Sequence, residues 1–206
     1  MTEIEKFINS IANADVDKLG FSENLYKGNS SESLIRKGNL RLYLNTMKSL
    51  KPDILLIGEA PGYKGCRLTG IPFTSEKALY SNSFFSKKNY QFINQLDKLE
   101  SEQSATMVWN ELNKYERKPL IWNIFPFHPY NGKDLKTNRT PSRAELDFGK
   151  HILDDLLRIF DIEKIVAVGR KPESKLNELK INFEYVRHPA NGGKKKFVEG
   201  LAIVMQ

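Results

Sequence analysis

The chain has 206 residues, 32 Lys and Arg against 25 Asp and Glu, a formal net charge of +7, and one cysteine. That length fits one domain of roughly 100–200 residues with a terminal extension, and 12 Phe, 8 Tyr and 2 Trp argue against disorder. A single thiol excludes an internal disulfide, a four-cysteine zinc site and a four-cysteine iron–sulfur cluster.

The opening residues carry acids from Glu3 onward and no long apolar run, unlike a secretory leader. No stretch approaches the 18 apolar residues of a membrane span, so a reducing, cytoplasmic setting is expected. The basic balance favours a polyanionic partner such as nucleic acid, although charge alone is weak evidence.

Residues 31–50 read as a helix, with Leu40, Tyr43, Leu44, Met47 and Leu50 at three- and four-residue steps and Ser31 or Ser33 as the cap. Lys51-Pro52 ends it, because proline disfavours the α region in the residue before it. Residues 1–50 read as a helical extension packed on a domain spanning 51–206. Four short apolar runs follow, each suited to a buried strand: Asp53–Ile57, Leu120–Phe125, Lys164–Val168 and Phe183–Val186. Helical stretches separate them, over 76–115 in two or three pieces, 142–160 and 172–180. Ser142 and Glu145 have capping-box spacing at the start of the second stretch. Strands alternating with helices predict a three-layer α/β/α fold around a mainly parallel four-stranded sheet. Ligands bind such sheets at the carboxyl ends of the strands.

The first strand runs into Gly58-Glu59-Ala60-Pro61-Gly62 and then Gly65-Cys66-Arg67-Leu68-Thr69-Gly70-Ile71-Pro72-Phe73-Thr74-Ser75-Glu76. Glycine and proline at this density make a stiff, contorted loop, and Phe73 must pack on the core or on a planar ligand. It contains neither a Walker nor a dinucleotide-binding motif. At the end of the second strand Asn123 interrupts an apolar run; a buried amide needs partners, in the loops or in the edge of a heterocycle. The third strand ends in Gly169-Arg170-Lys171-Pro172. The fourth ends in Arg187-His188-Pro189-Ala190-Asn191, followed by Lys194-Lys195-Lys196. Taken singly, a His before Pro is a turn residue and a lysine triplet a solvated face. His128 precedes a proline and His151 lies in a predicted helix, and neither suggests a metal ligand.

As a set, over about residues 52–200, these strand ends resemble the uracil-DNA glycosylase superfamily. Gly58–Gly62 is similar to the opening motif of its family 4. The Gly65–Thr74 run with its following acid, Thr140–Glu145, and His188-Pro189-Ala190-Asn191 are similar to family 5, the type B enzymes. The clustered cysteines of those families are missing, Ser75-Glu76 stands where family 5 has Gly-Asp, Ala190 stands where Ser is usual, and Arg170-Lys171-Pro172 replaces a small-residue turn. The resemblance thus implies a glycosylase without a cluster or other cofactor.

It further implies that a nucleotide is flipped into a pocket. There Phe73 would stack on the base, Asn123 would read its Watson–Crick edge, and His188 would stabilise the departing base. Gly58, Ala60, Pro61 and Gly62 would approach base and sugar. Glu76, matching the acid of family 5, would position the water and Glu59 shape the site, or the two would exchange roles. Arg139, Arg143, Asn191, Lys194, Lys195 and Lys196, with Lys133 and Lys136, would grip the DNA of a monomeric enzyme that meets no membrane. A non-catalytic relative that binds a nucleotide or nucleic acid, and an unrelated enzyme on the same α/β plan, are the competing readings.

Overall fold

The computed structural model describes residues 1–86 and 88–206; Lys87, inside the predicted 76–115 stretch, lies outside the described residues. Helix α1 (Glu3–Ala12) buries Ile4, Phe7, Ile8 and Ile11 at helical spacing, and the Thr2 hydroxyl accepts from the Glu5 N–H at its start. A two-residue strand, β1 (Ser22–Glu23), precedes helix α2 (Ser31–Leu50). The cap of α2 is Ser30, one residue earlier than expected; its hydroxyl accepts from the Ser33 N–H. Leu40, Tyr43, Leu44 and Met47 are buried, whereas Leu50, predicted on the same stripe, is exposed. Lys51 sits in the left-handed region (φ 50°), so the helix stops before Pro52 as expected.

The central sheet consists of β2 (Ile54–Gly58), β3 (Leu120–Asn123), β5 (Lys164–Val168) and β6 (Glu184–Val186), all parallel, in the order β3-β2-β5-β6. Every residue of β2 is buried. Successive strand side chains point to opposite faces, so both faces at the centre of the sheet are covered. β3 stops at Asn123, two residues before the predicted end, because beyond it the Ile124 and Phe125 N–H groups turn to the Gly58 and Glu59 carbonyls (2.8 and 3.1 Å). The free edge of β3 meets α2, where the Ile121 N–H donates to the Tyr43 hydroxyl (2.8 Å). That bond occupies an edge donor which would otherwise be open to strand pairing.

The connections are helical: α3 (Cys66–Thr69), α4 (Glu76–Ser81) and α5 (Gln103–Leu112) between β2 and β3, α6 (Arg143–Ile159) before β5, α7 (Arg170–Glu178) before β6, and α8 (Lys194–Val204) at the end. The sequence reading does not delimit five of these elements. α1 falls in an extension read as helical without bounds, α3 in a run read as a contorted loop, α8 in one read as a basic loop, and β1 pairs antiparallel with another two-residue strand, β4 (His128–Pro129), too short to leave a pattern. Phe7 of α1 packs on Trp122 of β3 with ring centroids 5.5 Å apart, so the first helix and the sheet share one core.

The capping box of α6 is present, and it does more than cap. Glu145, fully buried, accepts from the Ser142 N–H (2.6 Å), the Ser22 hydroxyl and both terminal nitrogens of Arg139 (2.7 and 2.6 Å). Burial pushes its carboxyl upward, but the hydrogen bonds from Arg139, Ser22 and Ser142 hold it below the usual range. α6 also packs hard against the backbone that leaves β3: a Cβ on Gly149 would lie 2.9 Å from the Ile124 carbonyl carbon and closer still to its oxygen. Backbone cannot yield as a side chain does, so Gly149→Ala is expected to lower stability by about 1–3 kcal/mol, read as a lower urea midpoint at unchanged slope.

Candidate active site

The carboxyl ends of β2, β3 and β5 and the loop after β6 surround a cavity of about 310 Å³, which Glu59, Phe73, Asn123 and His188 all line. Gly58 and Asn123 are register partners at the ends of β2 and β3. A Cβ on Gly58 would lie 2.7 Å from Asn123 Oδ1 and would overlap the Phe73 ring. Ring and amide therefore converge over a position that only glycine can fill.

Phe73 is placed by strained but well-anchored backbone. It takes a left-handed conformation (φ 49°), which costs a non-glycine residue about 1 kcal/mol or more. Its neighbours lock that turn: the Thr69 hydroxyl donates to the Thr74 carbonyl (2.7 Å), the Thr74 hydroxyl to the Pro72 carbonyl (2.9 Å), and the Trp109 indole N–H to the Thr74 hydroxyl (3.0 Å). The Phe73 and His188 rings lie 5.9 Å apart, tilted by 36°.

Asn123 is 2% exposed and, among the described residues, its Nδ2 has no hydrogen-bond partner; Glu59 Oε1 is likewise buried and unpartnered among them. An unmet buried polar group costs about 1–3 kcal/mol, so both are poised for an occupant. Burial pushes the Glu59 carboxyl above its usual range, opposed by the Lys171 charge and the Thr140 hydroxyl. His188 is held by its own loop: the Ala190 N–H donates to Nδ1 (3.2 Å). That bond fixes the neutral tautomer with its N–H on Nε2. Burial, then the Arg187 charge, lowers its pKa, so the ring is neutral near pH 7.

Glu76, an expected catalytic acid, is not in this cavity. It is 1% exposed, and its carboxylate accepts from the Ile93 and Asn94 N–H groups (3.0 and 2.9 Å), the Asn94 side-chain amide (2.7 Å) and the Glu100 N–H (3.2 Å). With its lone pairs so committed it staples residues 93–100 to α4. Ala60, Pro61 and Gly62 do line the cavity.

The expected DNA-gripping residues divide. Arg139 borders the cavity, but its guanidinium is committed to Glu145 and to the carbonyls of Phe21, Tyr130 and Thr140. Arg143 is exposed and pairs with Glu178 (2.7 Å). Lys194, Lys195 and Lys196 are exposed, yet they form the first turn of α8 rather than a loop. Asn191, exposed in a left-handed conformation, turns the chain into that helix, and Lys133 and Lys136 are exposed between β4 and α6.

Sequence reasoning missed Glu102, Ser104, Asn138, Arg170 and Lys171, which also line the cavity. Glu102 lies in the polar run Leu99–Gln103, where nothing sets it apart. His128 is buried as well, its ring nitrogens 2.8 and 3.0 Å from the Pro61 and Leu135 carbonyls. It ties the cavity loop to the turn beyond β4. Cys66 is the chain's one thiol and is buried, so the four-cysteine set of an iron–sulfur cluster does not fit this chain.

No curated relative matches the chain. Among solved structures, SMUG2 from Pedobacter heparinus superposes with a TM-score of 0.70 at 19% identity, over 99% of this chain and 97% of that one. The family model described as the uracil DNA glycosylase superfamily matches residues 46–205. With more than half its length so matched, and the sheet, its order and the strand-end cavity in place, the chain belongs to the uracil-DNA glycosylase superfamily.

Proposed function

We propose that the protein is a DNA glycosylase that hydrolyses the N-glycosidic bond of uracil, or of another deaminated base, after flipping the nucleotide into the strand-end cavity. The observation that carries this reading is the unpartnered Asn123 amide in a cavity also lined by an aromatic ring and a neutral histidine.

Each task of the reaction has a group suited to it. The Phe73 face stacks on the base, as aromatic rings do on any base. The Asn123 amide offers a donor and an acceptor together. That pair matches the adjacent carbonyl and N–H on the uracil edge and rejects cytosine, whose corresponding edge has an amino group and a bare ring nitrogen. Bond cleavage leaves its electron pair on the base and positive charge on the sugar. His188 Nε2–H donates to the base oxygen on which negative charge accumulates, the logic of an oxyanion hole. Water then adds to the sugar C1′. Its oxygen becomes the new hydroxyl, and its proton passes to the Glu59 carboxylate and on to solvent or the released base. Glu59 takes this role rather than Glu76, whose lone pairs are already committed. Lys194, Lys195, Lys196, Arg143 and Asn191 lie on exposed surface from which phosphates can be gripped; Arg139 instead shapes the cavity wall.

The test is excision from single- and double-stranded oligonucleotides containing uracil, hypoxanthine or xanthine. Asn123→Ala and His188→Ala are expected to lower the single-turnover rate about 10²–10³-fold, and Glu59→Gln by about 10²–10⁴-fold, all three still folded. Folded wild-type protein that yields no abasic product from any of these substrates sinks the proposal; saturable binding without turnover would support the non-catalytic relative instead.

Glu59 works ionised, and burial raises its pKa. The rate should therefore fall as pH drops through that raised value, at a higher pH than an exposed glutamate would give, and the acid limb should vanish in Glu59→Gln. Gly58→Ala, which forces Phe73 and Asn123 apart, should abolish measurable excision. Replacing Lys194, Lys195 and Lys196 together by alanine should weaken binding equally for all sequences. It should also flatten the salt dependence by about 0.7–0.9 in log–log slope for each phosphate no longer neutralised.

A further inference from the structure

Glu102 occupies the N-cap position of α5 yet makes no capping bond; its carbonyl serves the Thr106 N–H and hydroxyl, and its side chain turns into the cavity beside Ser104. The loop after β2 is built around the carboxyl. A Cβ on Gly62 would overlap Oε1, and one on Gly65 would overlap Oε2 and lie 2.7 Å from Cδ. The two glycines thus keep open the space the carboxyl fills, and what they present to it is backbone rather than a cationic side chain.

The charged and titratable groups around the same cavity are Glu59 and Cys66 from that loop, Arg139 from the turn before α6, Arg170 and Lys171 at the start of α7, and His188 after β6. None of them forms an ion pair with Glu102 among the described residues, and Arg139 is already taken by Glu145. Burial pushes the Glu102 carboxyl up to about 7, with only the Ser104 hydroxyl acting against it and no neighbouring charge contributing. Near neutral pH the group is divided between its two forms, and an occupant that expels water shifts it further toward the neutral one.

We propose that Glu102 is a specificity-determining residue that meets the flipped nucleotide as a neutral carboxylic acid, donating its proton in a hydrogen bond to an oxygen acceptor of that nucleotide. The identity of the occupant rests on the glycosylase reading; the protonated state rests on the cradle and the missing cation. No bond is made or broken at Glu102, so the coupling is one of binding. The complex takes up a proton from solvent whenever free Glu102 is ionised, and affinity falls as pH rises through about 7. The ionised form instead places a bare negative charge against a polyanionic ligand.

The probe is a single-stranded oligonucleotide carrying one 2′-fluoro-2′-deoxyuridine, whose glycosidic bond resists cleavage, compared with the same strand carrying thymidine. Binding is titrated from pH 5.5 to 8.5, and calorimetry in buffers of different ionisation enthalpy counts the protons taken up. The wild type should bind about eightfold more weakly at pH 8.5 than at 7.5 and take up roughly 0.8 proton per complex at pH 7.5. Glu102→Gln, which keeps the shape and a donor, should lose both the slope and the uptake; Glu102→Ala should be equally flat and weaker, and it serves if the Gln variant does not fold. A slope and uptake unchanged in a folded variant would overturn the proposal. Preference for the uridine strand without wild-type uptake would overturn it while leaving the glycosylase reading intact. Equal binding of both strands with uptake would overturn only uracil as the base read, and equal binding without uptake would overturn both that and the proposal.

Discussion

The missing side chain of Gly58 is the constraint on which the site depends. β2 and β3 run parallel and in register, so Gly58 and Asn123 arrive together at the carboxyl edge of the sheet. The Phe73 ring then folds back over the space a Cβ would fill. The backbone at Phe73 is left-handed, and the hydrogen bonds of Thr69, Thr74 and Trp109 offset the strain. The cavity is therefore pre-formed by secondary structure and covalent geometry rather than assembled by a mobile loop, the condition under which hydrogen-bond reading of a base is sharp.

Glycine recurs as an enabling absence elsewhere in the same region. Gly149 lets α6 approach the backbone leaving β3, and Gly62 and Gly65 admit the Glu102 carboxyl. Gly193 lets the start of α8 lie against the His188 carbonyl, and positive-φ Gly169 backs the His188 side chain. In each case the neighbouring group is backbone or a site residue. Tolerance to substitution should follow distance from the strand ends rather than local exposure.

The elements that carry the sheet could be read because their signals are strong and local. The β5 run of Ile165–Val168, the helical stripe of α2, the Ser142–Glu145 box and the Lys51-Pro52 stop each depend on neighbours in the chain. At Asn123 the boundary moved because tertiary bonds intervene: the next two amides turn to the loop after β2. Phe73, Asn123 and His188, which line one cavity, stand out in the sequence because an aromatic in a glycine-rich loop, an amide in an apolar strand and a histidine before proline are each out of place. Glu76 misled for the converse reason. Its position in the motif is that of a catalytic acid, but its role is decided by four donors on residues 17 or more positions away, and spacing cannot reveal these. Arg139 and Glu102 are the same case with opposite outcomes: a basic residue taken for a phosphate contact is spent on Glu145, and an acid lost in a polar run lines the cavity.

Burial raises the Glu59 and Glu102 carboxyls and lowers His188, so these three groups are biased toward their uncharged forms, while Arg139, Arg170 and Lys171 also line the cavity. Lys194 to Lys196 stand on exposed surface, Lys195 with Glu199 3.9 Å away. Attraction for a polyanion falls off over about 10 Å in physiological salt and carries no information about the base. It can therefore work from outside. Reading a neutral heterocycle needs directional donors and acceptors that charge would swamp, and it is done inside. In the proposed reaction the departing base is where negative charge appears, and the Nε2–H held ready on the neutral His188 ring would meet that charge as an oxyanion hole does.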